Sequence, residues 1–179
     1  VKDALAYFRM AINPNDDEAL RRIINFPARG IGETTVNKLT RAAIDGNVSI
    51  WEIISDLPTY SPGVNSGTAR KLDAFRELIE TFVTLNNEGV NADELATKII
   101  SATGLLSMLV SDRTPENLSK QENLNELLSG TREFVTNRLE EGEENTSLAD
   151  FMGEVSLASD QDQDSKDAED GDPERVTLM

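Results

Sequence analysis

Apolar residues recur along this chain at the three- and four-residue spacing of one helix face, and seldom at the two-residue spacing of a strand. Leu5, Phe8 and Ile12 mark a first helix over residues 2–12, which Asn13-Pro14 ends. A second is expected over about 16–25. Asn15 is its expected cap, Glu18 closes a capping box, and the acids of the first turn complement the helix dipole. A third follows Gly30-Ile31-Gly32 and stops near Asp45-Gly46-Asn47. Residues 49–55 read as a short helix with Trp51 as a core anchor, and residues 58–67, rich in Pro, Ser and Gly, as a loop.

A long stripe then runs through Ala69, Leu72, Phe75, Leu78, Ile79, Phe82 and Val83. Asn91 and Glu94 open a further helix to Ala102, and Gly104 separates it from residues 105–109. Thr114-Pro115 starts the next, with Leu118, Leu124, Leu127 and Leu128. A separate helix is expected from Thr131 to Leu139 and a last one from Ser147 to Val155. No internal repeat stands out. The expected fold is therefore all-α, a bundle-like domain of eight or so helices over residues 1–158 with a helix–hairpin–helix unit near its start. Residues 159–174 are expected to form an acidic flexible linker, because they hold too little apolar surface to pack. Residues 175–179, ending Val176-Thr177-Leu178-Met179, read as the start of a strand.

Charge changes this picture in one place. The formal net charge of the 179 residues is −16, yet residues 21–41 carry Arg21, Arg22, Arg29, Lys38 and Arg41 against the single acid Glu33. Most of the acidity lies in residues 140–174, so the body is only mildly acidic. Cysteine and histidine are both absent. Disulfides and thiolate metal sites are excluded, as are the commonest general base and metal ligand. No apolar run approaches the ~20 residues of a membrane span, so no membrane partner is expected. The opening Val1-Lys2-Asp3 shows no signal-peptide pattern, and the lack of an initiator methionine suggests a piece of a longer protein.

The basic island surrounds the chemistry. Gly30 and Gly32 allow consecutive amides to turn toward one point, at the start of a helix whose N–H groups and dipole favour an anion. A Gly-x-Gly turn between helices can also be no more than a tight connection. The flanking charge favours phosphate binding, with Arg29, Gly30, Ile31, Gly32, Thr35 and Lys38 as the candidate backbone-gripping residues. Arg70, Lys71 and Arg76 on the long helix read as solvated surface charge by default. The acidic run Asp16-Asp17-Glu18 reads as a helix start rather than a metal site.

Three stretches near the start carry a resemblance: 2–9 (KDALAYFR), 13–17 (NPNDD) and 22–32 (RIINFPARGIG). Residues 122–128 (ENLNELL), 147–151 (SLADF) and 155–160 (VSLASD) follow in the same order. Together they resemble the superfamily-one DNA helicases of the UvrD, PcrA and Rep type. The first third and the end are specific, and the middle is ordinary helical sequence. One departure is Lys120-Gln121, where many relatives have an arginine before Glu-Asn; no role is attached to it.

The resemblance implies an accessory (2B) subdomain inserted in the second motor domain of a bacterial, cytoplasmic 3′-to-5′ DNA helicase. ATP and Mg²⁺ would be used by the parent enzyme. This piece has no phosphate-binding Gly-x-x-x-x-Gly-Lys-Ser/Thr loop, so no catalytic residue, cofactor or metal is expected within it. The implied partners are duplex or junction DNA, the motor domains and regulatory proteins. Gly30, Ile31, Gly32 and Thr35 would make the backbone contacts with Arg29 beside them; Lys38 is added from charge and position alone. The competing reading is a protein-interaction or autoinhibitory helical module without DNA binding of its own.

Overall fold

The computed structural model describes residues 1–157. The expected linker over 159–174 and the strand start over 175–179 lie outside the described residues. Within them the regular structure is all helical, and no strand is present. The helices are α1 (Lys2–Ile12), α2 (Asp17–Ile23), α3 (Glu33–Gly46), α4 (Ile50–Ser55) and α5 (Leu57–Tyr60). They continue with α6 (Ser66–Asn87), α7 (Ala92–Thr103), α8 (Leu105–Ser111), α9 (Pro115–Glu140) and α10 (148–157).

Helix α1 is the axis of the core. Its Tyr7, Phe8 and Met10 are completely buried, and it packs against α2, α6 and α7. From α6 come Leu72, Phe75, Ile79 and Phe82, and from α7 Leu95, Ala96 and Ile99. Each fully buried large apolar side chain is worth about 1.5–3 kcal/mol, so these few residues supply much of the driving force. Two ion pairs pin α1 to the α2 region, Arg22 to Asp3 and Arg9 to Asp16, both at 2.8 Å. The element that carries the hairpin is thus fixed at its base.

Three expectations are corrected. The cap of α2 is Asp16, whose carboxylate accepts from the Ala19 N–H at 3.1 Å, and not Asn15. Asn15 instead accepts from the Ser49 hydroxyl at 2.7 Å, tying the start of α2 to the start of α4. The segment expected as a loop after Asp56 begins with the single turn of α5. The two helices expected on either side of Gly130 are one helix, α9, of 26 residues. Gly130 leaves a gap that the Phe151 ring of α10 covers, and Phe151 meets Phe134 edge-on at 5.6 Å. That packing carries α9 through a residue with poor helix propensity.

Candidate nucleic-acid interface

Helix α2 ends at Ile23, and the chain turns through a cis Phe26-Pro27 bond to Gly30. Gly30 has φ +78°, a left-handed conformation that a side chain disfavours. Asn25 organises the turn from within. Its side-chain oxygen accepts from the Arg29 N–H at 2.7 Å and the Ile31 N–H at 3.1 Å. The Ile31 side chain is buried in the core and anchors the far side. The turn is therefore held by one carboxamide and one apolar plug.

Arg29 faces inward. Its Nη1 donates to the carbonyls of Ile23 at 2.6 Å, Ile24 at 3.3 Å and Phe26 at 3.4 Å, and its Nη2 donates to the Tyr7 hydroxyl. The guanidinium also lies 5.1 Å from the Phe75 ring centroid and 5.7 Å from that of Tyr7. It adds a charged donor to the carbonyls at and after the end of α2, a service basic side chains commonly give there, while Ile23 also accepts from the Phe26 N–H and Phe26 from the Tyr7 hydroxyl. The side chain expected to stand beside a phosphate is engaged beneath the hairpin instead.

The open groups lie just beyond. Gly32 is the N-cap of α3, and having no side chain it makes no capping bond. Side chains cap α2, α4, α6, α7 and α9, from Asp16, Ser49, Asn65, Asn91 and Thr114. At α3 the amides of Glu33, Thr34 and Thr35 have no acceptor among the described residues. The space where a Gly32 side chain would stand is empty to 4 Å. Gly32 has φ −82°, so its own backbone does not demand glycine. What its missing side chain provides is access.

The cations of the basic island and of α6 differ in what they meet. Arg22, within the basic island, is neutralised by Asp3, and Arg76 is bound by Asp73 and Glu80. Arg21, Lys38, Arg41, Arg70 and Lys71 have no carboxylate within 4 Å among the described residues. Lys38 is exposed, and its ammonium donates to the Gly63 carbonyl at 3.1 Å. Lys71 is also exposed and reaches the Gly30 carbonyl at 3.4 Å. In the sequence Lys71 reads as solvated surface, because nothing local joins α6 to a turn 41 residues earlier. Thr35 is half-buried in the first turn of α3.

The Asp16-Asp17-Glu18 run is structural. Asp17 accepts from the Ile50 N–H at 2.9 Å, and Asp16 holds both its own helix and Arg9. No group of three metal-ligating side chains occurs among the described residues, and no single described helix is long and apolar enough to cross a membrane.

The geometry is a glycine-capped helix start with open amides, with the exposed Lys71 against the preceding turn. A model of the UvrD-like helicase C-terminal domain matches residues 1–179. The ATP-dependent DNA helicase PcrA of Bacillus subtilis (strain 168) is 34% identical over 180 aligned residues, which take in all of this chain and 23% of that protein. PcrA proteins of Staphylococcus epidermidis and Staphylococcus aureus are 32% identical with the same coverage. The chain thus spans about a quarter of the length of these relatives. Matched from end to end, it belongs to the UvrD-like helicase C-terminal domain family.

Proposed function

We propose that this chain is the accessory (2B) subdomain of a 3′-to-5′ ATP-dependent DNA helicase, holding duplex backbone near the unwinding junction without reading sequence. The observation that carries this reading is the start of α3. Three amides lack acceptors among the described residues, behind a glycine that leaves the approach clear. Such a helix start binds phosphate through its N–H groups and dipole. Backbone contacts of this kind position a protein on nucleic acid without specifying a base. Gly30 and Ile31 shape the turn, Gly32 opens it, Thr35 and Lys71 border it, Lys38 adds charge from the side of Gly63, and Arg29 braces it from below. ATP and Mg²⁺ act in the motor domains of the parent enzyme, to which this piece contributes position and regulation.

The test is fluorescence anisotropy of a labelled duplex with a single-stranded overhang, titrated with the chain at low and moderate salt. Affinity that falls steeply with salt and is lost when Gly30 and Gly32 are both replaced by bulkier residues supports the grip. Full affinity in a well-folded double variant rules it out.

One observation favours a protein contact as well. A hollow of about 410 Å³ lies between α1, α8 and α9, lined by Val1, Phe26, Leu105, Met108 and Leu109 among others, and Val110 and Leu118 on α8 and α9 are exposed. Apolar surface of this kind suits the motor domains or a regulatory protein.

A further inference from the structure

Helix α10 is seated at its start and stands off at its end. Leu148 is completely buried and Phe151 nearly so, the latter over the gap at Gly130. Ser147 caps the first turn by accepting from the Asp150 N–H at 3.1 Å. Just before it, the Thr146 carbonyl accepts from the Ala92 N–H of α7 at 2.7 Å. Beyond Phe151 the hold weakens. Nothing lies within 4 Å of the place a Gly153 side chain would take, so no packing accounts for a poor helix former at this point. Leu157 is 65% exposed, and a crevice of about 480 Å³ opens between this outer turn and the end of α9.

The walls of the crevice carry mostly one sign of charge. Glu133, Glu141 and Glu143 line it from α9 and the turn after it, and Glu154 lines it from α10. Arg138, in the last turn of α9, is the only base among the described residues that line it. Its guanidinium lies 2.6 Å from Glu143 and 4.0 Å from Glu154, and it sits over the Phe134 ring, 5.0 Å from the centroid. Both helices also end here, and a helix end carries partial negative charge that a cation offsets and a carboxylate worsens. Four carboxylates and two helix ends are thus set against one guanidinium.

We propose that α10 is a charge-governed strap. Its first turn is fixed by Leu148, Phe151 and the bond to α7, and its outer turn closes on α9 or lifts from it according to the balance that Arg138 sets. The pair with Glu154 is long and exposed, so it holds weakly by itself. Its larger effect is to cancel repulsion. Without the guanidinium, Glu154 faces three glutamates of the opposite wall. A cation brought into the crevice shifts the balance toward closure, and loss of Arg138 shifts it toward lifting. The end that lifts is the one by which the helical body passes into the rest of the chain, so the strap adds play at that joint while α1, α6 and α7 stay packed. None of these groups belongs to the α2–turn–α3 unit, so the strap stands apart from the nucleic-acid reading.

The test is hydrogen–deuterium exchange of the full chain, read by mass spectrometry in overlapping peptides over residues 147–157 and over α1, at low and moderate salt. Residues 153–157 should exchange well before α1 in the unaltered chain. Arg138→Gln should speed their exchange about three- to tenfold further at low salt and leave α1 unchanged. Because the effect is repulsion, moderate salt should take back most of that gain. Adding Glu154→Gln to Arg138→Gln should take it back as well. Gly153→Ala should slow the same residues about two- to fivefold at either salt, and no slowing overturns the outer turn as the moving part. Exchange that Arg138→Gln leaves unchanged overturns the strap. So does acceleration that neither salt nor Glu154→Gln reverses, which marks Arg138 as packing on Phe134 alone. Acceleration that reaches α1 to the same extent also overturns it, because α10 then opens only with the whole fold.

Discussion

The guanidinium of Arg29 donates to the hydroxyl of Tyr7, a side chain with no exposed surface, and that hydroxyl donates to the carbonyl of Phe26 at 2.6 Å. A charge from the hairpin is thus threaded into the wall formed by α1, the end of α2 and Phe75 of α6. The hairpin owes its shape to this brace and to Asn25, so its amides are set before any ligand arrives. Preorganisation of this sort lowers the ordering cost of binding.

Arg29→Ala should therefore act first on stability. It removes several hydrogen bonds from a charged donor, while the Ile23 and Phe26 carbonyls keep the Phe26 N–H and the Tyr7 hydroxyl, and costs about 2 kcal/mol. Arg29→Lys should recover only part, because an ammonium cannot reproduce the planar fork. Urea denaturation read by circular dichroism checks both, with exposed Arg21→Ala as the comparison, expected within about 0.5 kcal/mol of wild type.

Gly32→Asp separates folding from binding. An aspartate at this N-cap supplies the missing acceptor, so the denaturation midpoint should hold or rise by a few tenths of a kcal/mol. The same carboxylate fills the opening and repels phosphate. Duplex affinity should fall at least tenfold in a chain that is no less stable, a combination that damage to the fold does not produce. Retained affinity in anisotropy would falsify the role given to the α3 amides.

Gly130→Ala should stabilise the chain by about 0.5–1 kcal/mol, the usual difference between the two residues inside a helix. The added methyl meets the Phe151 ring at 3.9 Å, an ordinary contact. A higher midpoint with unchanged duplex binding is the expected result, and a fall shows that α10 does not seat as described.

Tyr7 sets an alkaline limit. Burial pushes its pKa above the ordinary 10.0, with Arg29 pulling the other way. Below about pH 10 both folded and unfolded chains keep the proton, and this group makes no difference to stability with pH. Above it the unfolded chain loses the proton first, so stability falls as pH rises toward the folded-state value. Tyr7→Phe should be less stable at neutral pH yet lack that component of the alkaline decline. Denaturation midpoints measured on both sides of the ordinary value decide it.

The helices were largely legible because their apolar spacing, prolines and cap residues act locally. The errors came where two local choices were nearly equal and distant contacts chose between them. Asn15 and Asp16 are both good caps, and Ser49, far along the chain, draws Asn15 away. Gly130 disfavours helix, and only Phe151 packed over it explains its continuation. At the hairpin, composition showed how much charge was present but not its direction. The acceptors that turn Arg29 inward are main-chain carbonyls, which leave no mark in the sequence.

Two bonds join the start of α2 to the start of α4, Asn15 with Ser49 and Asp17 with Ile50, and two ion pairs join α2 to α1. A pull on the Gly30 turn is therefore passed to α1 and α4 together. The hairpin is a handle on the whole core and not a loop that bends by itself.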